Sequence, residues 1–322
     1  MLNPMFDAWA SLCGVSPFSW DFSHPEVRSA PVRGRAERPA PSLIAQRLAT
    51  DAGSLDYKLY VPASYTGQAC PLLVMLHGCS QDAQDFARGT GMNELAEKYQ
   101  CLVAYPEQSS SSNSGKCWNW FEDAHHHRGG GEPALIAGVA RKVMGDYAVD
   151  PARVFIAGLS AGGAMAVVLG RTYPDLFCAV GCHSGLAHGC AVGTSEAMQA
   201  MQYGAAAGTV QLESRGLPLI VFHGDRDSTV HPRNGRGVIE QSISLSQLRR
   251  ATVDTGESTG RSFTREIHRS PAGAVLAEHW TIHGTGHAWS GGRRQGSYTD
   301  ASGPDASSEM MRFFMSVGDV RK

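Results

Sequence analysis

The stretch Val154–Gly170, VFIAGLSAGGAMAVVLG, constrains this chain more than any other. Val154, Phe155 and Ile156 read as a buried parallel strand, and beyond them Ala164, Val167, Val168 and Tyr173 fall near helical spacing. Between the two runs Gly158 and Gly162 flank Ser160, each two residues away. A strand that passes into a helix through a single serine needs a sharp, strained turn, and small residues at those two places keep neighbouring backbone from clashing. The pattern G-x-S-x-G is weak by itself: with 37 glycines in 322 residues, chance places about 0.4 copies in such a composition. The order strand, turn, serine, helix gives it weight and makes Ser160 a candidate nucleophile.

The rest of the chain repeats the same grammar. "LIAQRLAT" and "LDYKLYVPA" on either side of "DAGS" predict an antiparallel hairpin opening near Leu43. "PLLVMLHG" and "CLVAYPE" are buried-strand runs separated by a helical pattern at Met92, Leu95, Ala96 and Tyr99, which makes a β-α-β unit. "EPALIAGVARKVMGDY" carries Pro133 in its first turn and an apolar stripe through Leu135, Ile136, Val139, Val143 and Met144. "FCAVGCHSG", "LPLIVFHGDRD" and "EHWTIHGTGH" add three strands, and a closing helix is expected from about Asp305 to Met315. The predicted class is α/β: a mostly parallel, doubly wound sheet with helices on both faces and a ligand site at the strand carboxyl ends. The long insertion Leu186–Arg215 reads either as a partial lid or as connecting helix.

Net charge is −2 and the sequence pI is about 6.7, which gives no footprint for nucleic acid or an anionic membrane and points to a neutral small molecule or polymer as partner. No apolar run reaches the roughly 18 residues of a transmembrane helix. Asn3, Pro4 and Asp7 interrupt the pattern of a secretory signal, so no export signal is read, and the expected location is cytoplasmic or left open. Leu2, Met5, Phe6, Trp9, Leu12 and Cys13 instead trace one face of a short amphipathic helix, for docking on the chain's own domain or on an external apolar surface. With the Pro- and Arg-containing connector His24–Ser42, this divides the chain into a 1–42 segment and a 43–322 catalytic domain. Eight cysteines are too few for a disulfide scaffold, and Cys178, Cys182 and Cys190 lack a zinc spacing. His125–His127 beside Glu122 and Asp123 read as an exposed loop in preference to a metal site. No metal is expected.

A serine hydroxyl needs a neutral imidazole to take its proton and a carboxylate to orient that imidazole. Asp227 closes "VFHGDRD" and His287 lies in "HGTGHAW", both directly after strands, in the order serine, acid, histidine found in α/β-hydrolases. Asp225 follows the same strand as Asp227 and competes for the acid role. Backbone donors for the tetrahedral intermediate are expected from Ala161, first in the helix, and from Cys79, after the strand ending "LHG". "GLSAGG" is neither G-x-G-x-x-G nor a P-loop, which excludes the common nucleotide-binding readings.

The blocks "LHGCSQDAQDFARGTGMNELAEKY", "YPEQ", "CWNWF", "GLSAGGAM", "HGDRDSTV" and "GTGHAWSGG", in this order over roughly Leu43 to Met315, resemble the poly(3-hydroxybutyrate) depolymerase family of esterases. The resemblance implies an α/β-hydrolase fold and Ser160, Asp227 and His287 as a triad. It further implies Cys79 and Ala161 as the oxyanion hole, and no cofactor. It favours Asp227 over Asp225 as the acid, being the second acidic residue of H-G-x-x-D. The implied activity is serine carboxylic-ester hydrolysis on short-chain hydroxyalkanoate esters or polyester oligomers. Feruloyl or acetylxylan esterase is the alternative, and a binding module on a hydrolase fold is the non-enzymatic one. The implied fold brings Cys79 and Cys117 to one rim, as a disulfide or as two separate thiols. Trp118 and Trp289 are expected to offer an apolar platform to substrate, and Trp120 to be core.

Overall fold

Alternation inside the apolar strands determines the layers. A computed structural model describes residues 42–51, 53–205, 216–243 and 251–320, all within one compact unit of the chain; the amphipathic stretch expected before the connector lies outside the described residues. The hairpin β1 (Ser42–Thr50) and β2 (Gly53–Val61) is followed by β3 (Cys70–Leu76), the short helices α1 (Ala83–Thr90) and α2 (Met92–Tyr99), and β4 (Leu102–Glu107). Next come α3 (Gly131–Asp146), β5 (Val149–Leu159), α4 (Ala161–Thr172), β6 (Ala179–His183), α5 (Thr194–Tyr203), β7 (Leu219–Gly224) and α6 (Arg233–Ser242). The chain closes with β8 (Thr252–Ser258), β9 (Arg261–Arg269), β10 (Val275–Ile282), β11 (Trp289–Ser290), β12 (Thr299–Asp300) and α7 (Ala306–Val320).

Among the described residues ten strands form one sheet in the order β1-β2-β4-β3-β5-β6-β7-β10-β9-β8. The central six, β4 through β10, are mutually parallel, and antiparallel hairpins close both edges. In β3, Leu72, Val74 and Leu76 point to one face and Leu73 and Met75 to the other, as a period of two requires. The first face packs against α3, α4 and α6 through Ile136, Val139, Met165, Val168 and Val238. The second packs against α1, α2 and α7 through Phe86, Met92, Met310, Phe313 and Phe314. This is the expected α/β-hydrolase arrangement, with helices on both faces.

The order β4-β3-β5 reverses direction at β3, so the loops leaving β3 and β5 diverge and open a crevice at their carboxyl ends. Register aligns those ends: Leu76 pairs with Gly158, Leu159 with His183, and Ile282 with Gly224. The hairpin β8–β9 carries no continuous apolar run, and its side chains are mostly exposed or half-buried, which is why the hydrophobic pattern passes over it. Within the Leu186–Arg215 insertion the structure places α5, while residues 206–215 lie outside the described residues.

Candidate active site

Ser160 sits at the junction of β5 and α4 with φ 56° and ψ −120°, a conformation outside the ordinary regions for an L-residue. Close packing enforces it. A Cβ built on Gly158 would meet the Leu76 carbonyl at 2.7 Å, and one on Gly162 the His77 carbonyl at 2.5 Å, so both positions exclude any side chain. The Ser160 N–H donates to the His183 carbonyl at 2.8 Å, and its carbonyl accepts from Ala164 at 2.9 Å as α4 begins. Strain gathers around this point: of seven described non-glycine residues with positive φ, Ser80, Lys116, Ser160, Ser184 and Tyr298 belong to this strand-end region.

His287 and Asp227 meet where the β7 and β10 loops converge. Nδ1 of His287 lies 2.7 Å from Oδ2 of Asp227, whose other oxygen accepts the amides of Thr229 (2.9 Å) and Val230 (2.8 Å). Burial alone would raise the Asp227 carboxyl, yet hydrogen bonds from His223 and His287 and the Val230 amide hold it well below the usual carboxylate range. It therefore remains an anion that can fix the His287 tautomer and leave Nε2 available. Asp225 turns outward instead, accepting from Nδ1 of His283 (2.9 Å) and the Gly284 amide (2.7 Å). Of the two sequence candidates, the structure brings Asp227 to His287.

His183, which sequence reasoning passed over inside "GCHSG", joins the serine and histidine segments. Its carbonyl receives the Ser160 amide, and its Nε2 accepts the Ser290 amide at 3.0 Å, three residues after His287. Burial, then the neighbouring His223 and His287, push its imidazole down to about 3, so it stays a neutral acceptor. Its ring is sandwiched between Phe222 and Trp289.

The loop after β3 presents the Cys79 amide. The Gly78 N–H goes to Oε1 of Gln81 (2.9 Å) and the Ser80 N–H to the Gly115 carbonyl (2.7 Å), while the Cys79 N–H between them has no acceptor among the described residues. Ala161 is the first residue of α4, where helix amides have no partner within the helix. Cys79 is disulfide-bonded to Cys117, tying this loop to the segment after β4. Beneath it His77 donates Nδ1–H to the Gly78 carbonyl and accepts the Gln108 amide on Nε2. Glu132, buried at the start of α3, accepts from Gln108 Nε2 (2.5 Å), the Asn119 amide (2.8 Å) and Asn119 Nδ2 (2.7 Å). These buttresses carry no motif signature in a single sequence; an acidic residue in an otherwise apolar helix start was the available clue.

The aromatic platform is corrected. Trp118 is 0% exposed and Trp289 1%; neither ring offers a face to substrate. Trp118 donates Nε1–H to the His77 carbonyl at 3.1 Å, and Trp289 donates to Oγ of Ser307 at 3.0 Å while its ring edge meets Phe86. Neither the position of Trp289 two residues after His287 nor the loop that carries Trp118 fixed a ring's direction, and a large apolar ring gains more beneath the loops than at their rim. Trp120 is core, as expected. The histidine triplet is also corrected: His126 is buried on the Trp120 carbonyl and His125 half-buried on that of Asn119, leaving His127 exposed. No group of three metal-ligating side chains occurs among the described residues, and no described helix is long and apolar enough to cross a membrane.

The family profile described as "Esterase PHB depolymerase" matches residues 55–266. Poly(3-hydroxyalkanoate) depolymerase C of Paucimonas lemoignei is 32% identical over 249 residues, covering 74% of this chain and 59% of that protein. Acetylxylan esterase A of Talaromyces purpureogenus is 32% identical over 200 residues, covering 57% of this chain and 51% of its own length. The chain thus spans between half and three-fifths of these curated relatives. Among solved structures, an acetyl xylan esterase from Aspergillus awamori superposes with a TM-score of 0.64 at 20% identity, over 84% of this chain and 99% of that one; at this identity the likeness speaks for the fold.

Proposed function

Because the chain belongs to the esterase PHB depolymerase family, we propose that it is a serine carboxylic-ester hydrolase working through an acyl-enzyme. The observation that carries this reading is the part-buried 2.7 Å contact of Asp227 with His287, set at the same strand ends as Ser160 in its strained turn. With Nδ1 engaged by Asp227, His287 takes the Ser160 proton on Nε2 as Oγ attacks the ester carbonyl carbon. The oxyanion that forms meets the amides of Cys79 and Ala161. Collapse breaks the bond to the alkoxy oxygen, which leaves with the proton from His287; water then attacks the acyl-enzyme by the same route and regenerates Ser160.

The substrate class proposed is short-chain hydroxyalkanoate esters and their oligomers, supported by the depolymerase relative and the family profile. Acetylated sugars are the second reading, supported by the acetylxylan esterase relatives. A panel of 3-hydroxybutyrate trimer, acetylated xylan, a feruloyl ester and p-nitrophenyl butyrate separates them. Higher kcat/KM on the trimer supports the first reading, and higher kcat/KM on acetylated xylan or the feruloyl ester replaces it.

A further inference from the structure

Tyr298 stands between the two halves of the site in an arrangement that packing does not explain. The residue is 47% exposed and its backbone is left-handed at φ 51°, a conformation that disfavours residues with a side chain. Polar atoms at both ends hold it. Its carbonyl accepts the Trp289 amide at 2.7 Å, two residues after His287. Its hydroxyl lies 3.1 Å from Oγ of Ser80, the residue after Cys79. Ser80 has one hydroxyl proton and donates it to the Cys79 carbonyl at 2.6 Å, so the phenol is the donor: Tyr298 O–H to Ser80 Oγ, and Ser80 O–H to Cys79.

The neighbouring residue makes the same connection. Ser297 accepts Nε2 of Gln81 at 3.1 Å on both its carbonyl and its hydroxyl, while Oε1 of Gln81 receives the Gly78 amide. The peptide groups on both sides of the Cys79 N–H are therefore fastened, through Gln81 and Ser80, to the segment that follows His287.

We propose that Tyr298 is a positioning residue for ester hydrolysis, locking the Cys79 oxyanion donor to the loop that carries His287 so that donor and base keep one geometry. The inference rests on the hydrolase reading above. Because oxyanion stabilisation depends on donors held to within fractions of an ångström, loosening this tie lowers the rate without weakening ground-state binding.

The test is Tyr298→Phe, which keeps the ring and removes the donor, with activity expressed per active site titrated by a fluorophosphonate. The expected result is a roughly three- to tenfold fall in kcat on p-nitrophenyl butyrate with KM within about twofold, and an equal weakening of a boronic acid that forms a tetrahedral adduct. Ser80→Ala should give the same loss, and the double variant no more than either single one, since both cut one relay. Wild-type kcat per titrated site in Tyr298→Phe, or losses that multiply in the double variant, would overturn the proposal. A loss confined to the titratable fraction would overturn it too, since that marks a purely structural role. Turnover surviving Ser160→Ala would instead remove the reading of a hydrolase built on Ser160, whereas Ser160-dependent turnover indifferent to Tyr298→Phe removes only the positioning role.

Discussion

Oδ2 of Asp227 lies 2.7 Å from Nδ1 of His287 and, on its other side, 3.4 Å from Nε2 of His223, which also meets the Val230 carbonyl at 2.8 Å. One buried carboxylate thus orients the imidazole proposed as base while the buried His223 steadies the turn that carries it.

On this geometry, Asp227→Asn should lower kcat by about 10⁴ by favouring the wrong His287 tautomer, against about tenfold for Asp225→Asn, whose partners are His283 and Gly284. Steady-state kinetics on one p-nitrophenyl ester decides it, and reversed magnitudes would transfer the acid role to Asp225.

Ser160→Ala and His287→Ala are each expected to reduce kcat by on the order of 10⁴ to 10⁶ with the fold retained, because neither nucleophile nor base has a substitute. Fluorophosphonate should label the wild-type protein at Ser160 alone. Labelling that persists in Ser160→Ala would mean that another residue is the nucleophile.

Reducing the Cys79–Cys117 disulfide, which closes a loop of 38 residues, should cost about 4 kcal/mol of stability on the chain-entropy account and lower kcat by up to about 100-fold through the loosened Cys79 amide. Denaturant melts and kinetics of Cys117→Ser measure both. An unchanged kcat would show that the buried buttress of His77, Gln108 and Glu132 suffices to hold the loop.

Trp289→Ala should destabilise by about 3 to 5 kcal/mol, the range for emptying an aromatic core site. Its residual activity should fall by the same factor on p-nitrophenyl acetate and on a hydroxybutyrate trimer. A loss selective for the trimer would restore the ring to the substrate surface.

Acid should unfold the protein through its buried histidines. Burial pushes His77 and His188 down to about 4 and His183 and His279 down to about 3. The unfolded chain takes up these protons as pH falls through about 6.5 while the native state does not, so stability is full above that pH. It is lost progressively as pH drops toward 3 to 4. Urea midpoints at pH 7, 5 and 4 should decline, and His279→Gln should flatten the decline by one proton's contribution. A profile unaltered by that substitution would exclude His279 as a source.

The sequence alone determined the layers and the order of the chemistry. Period-two alternation and helical spacing are local properties, so the strands around Val154 and Leu72, the doubly wound class and the placement of Ser160, Asp227 and His287 at strand ends were all legible. The tight turn at Ser160 was legible as well, because only glycine fits beside it. What the fold alone decided depends on direction in space. Asp225 and Asp227 follow one strand two residues apart, and the turn after β7 sends one outward and the other under His287. Trp118 and Trp289 flank the site in sequence but rotate into the core, where burying a large ring is most favourable. The links through His183, Gln81 and Tyr298 join segments roughly 100 to 220 residues apart, and no local pattern encodes a hydrogen bond of that span.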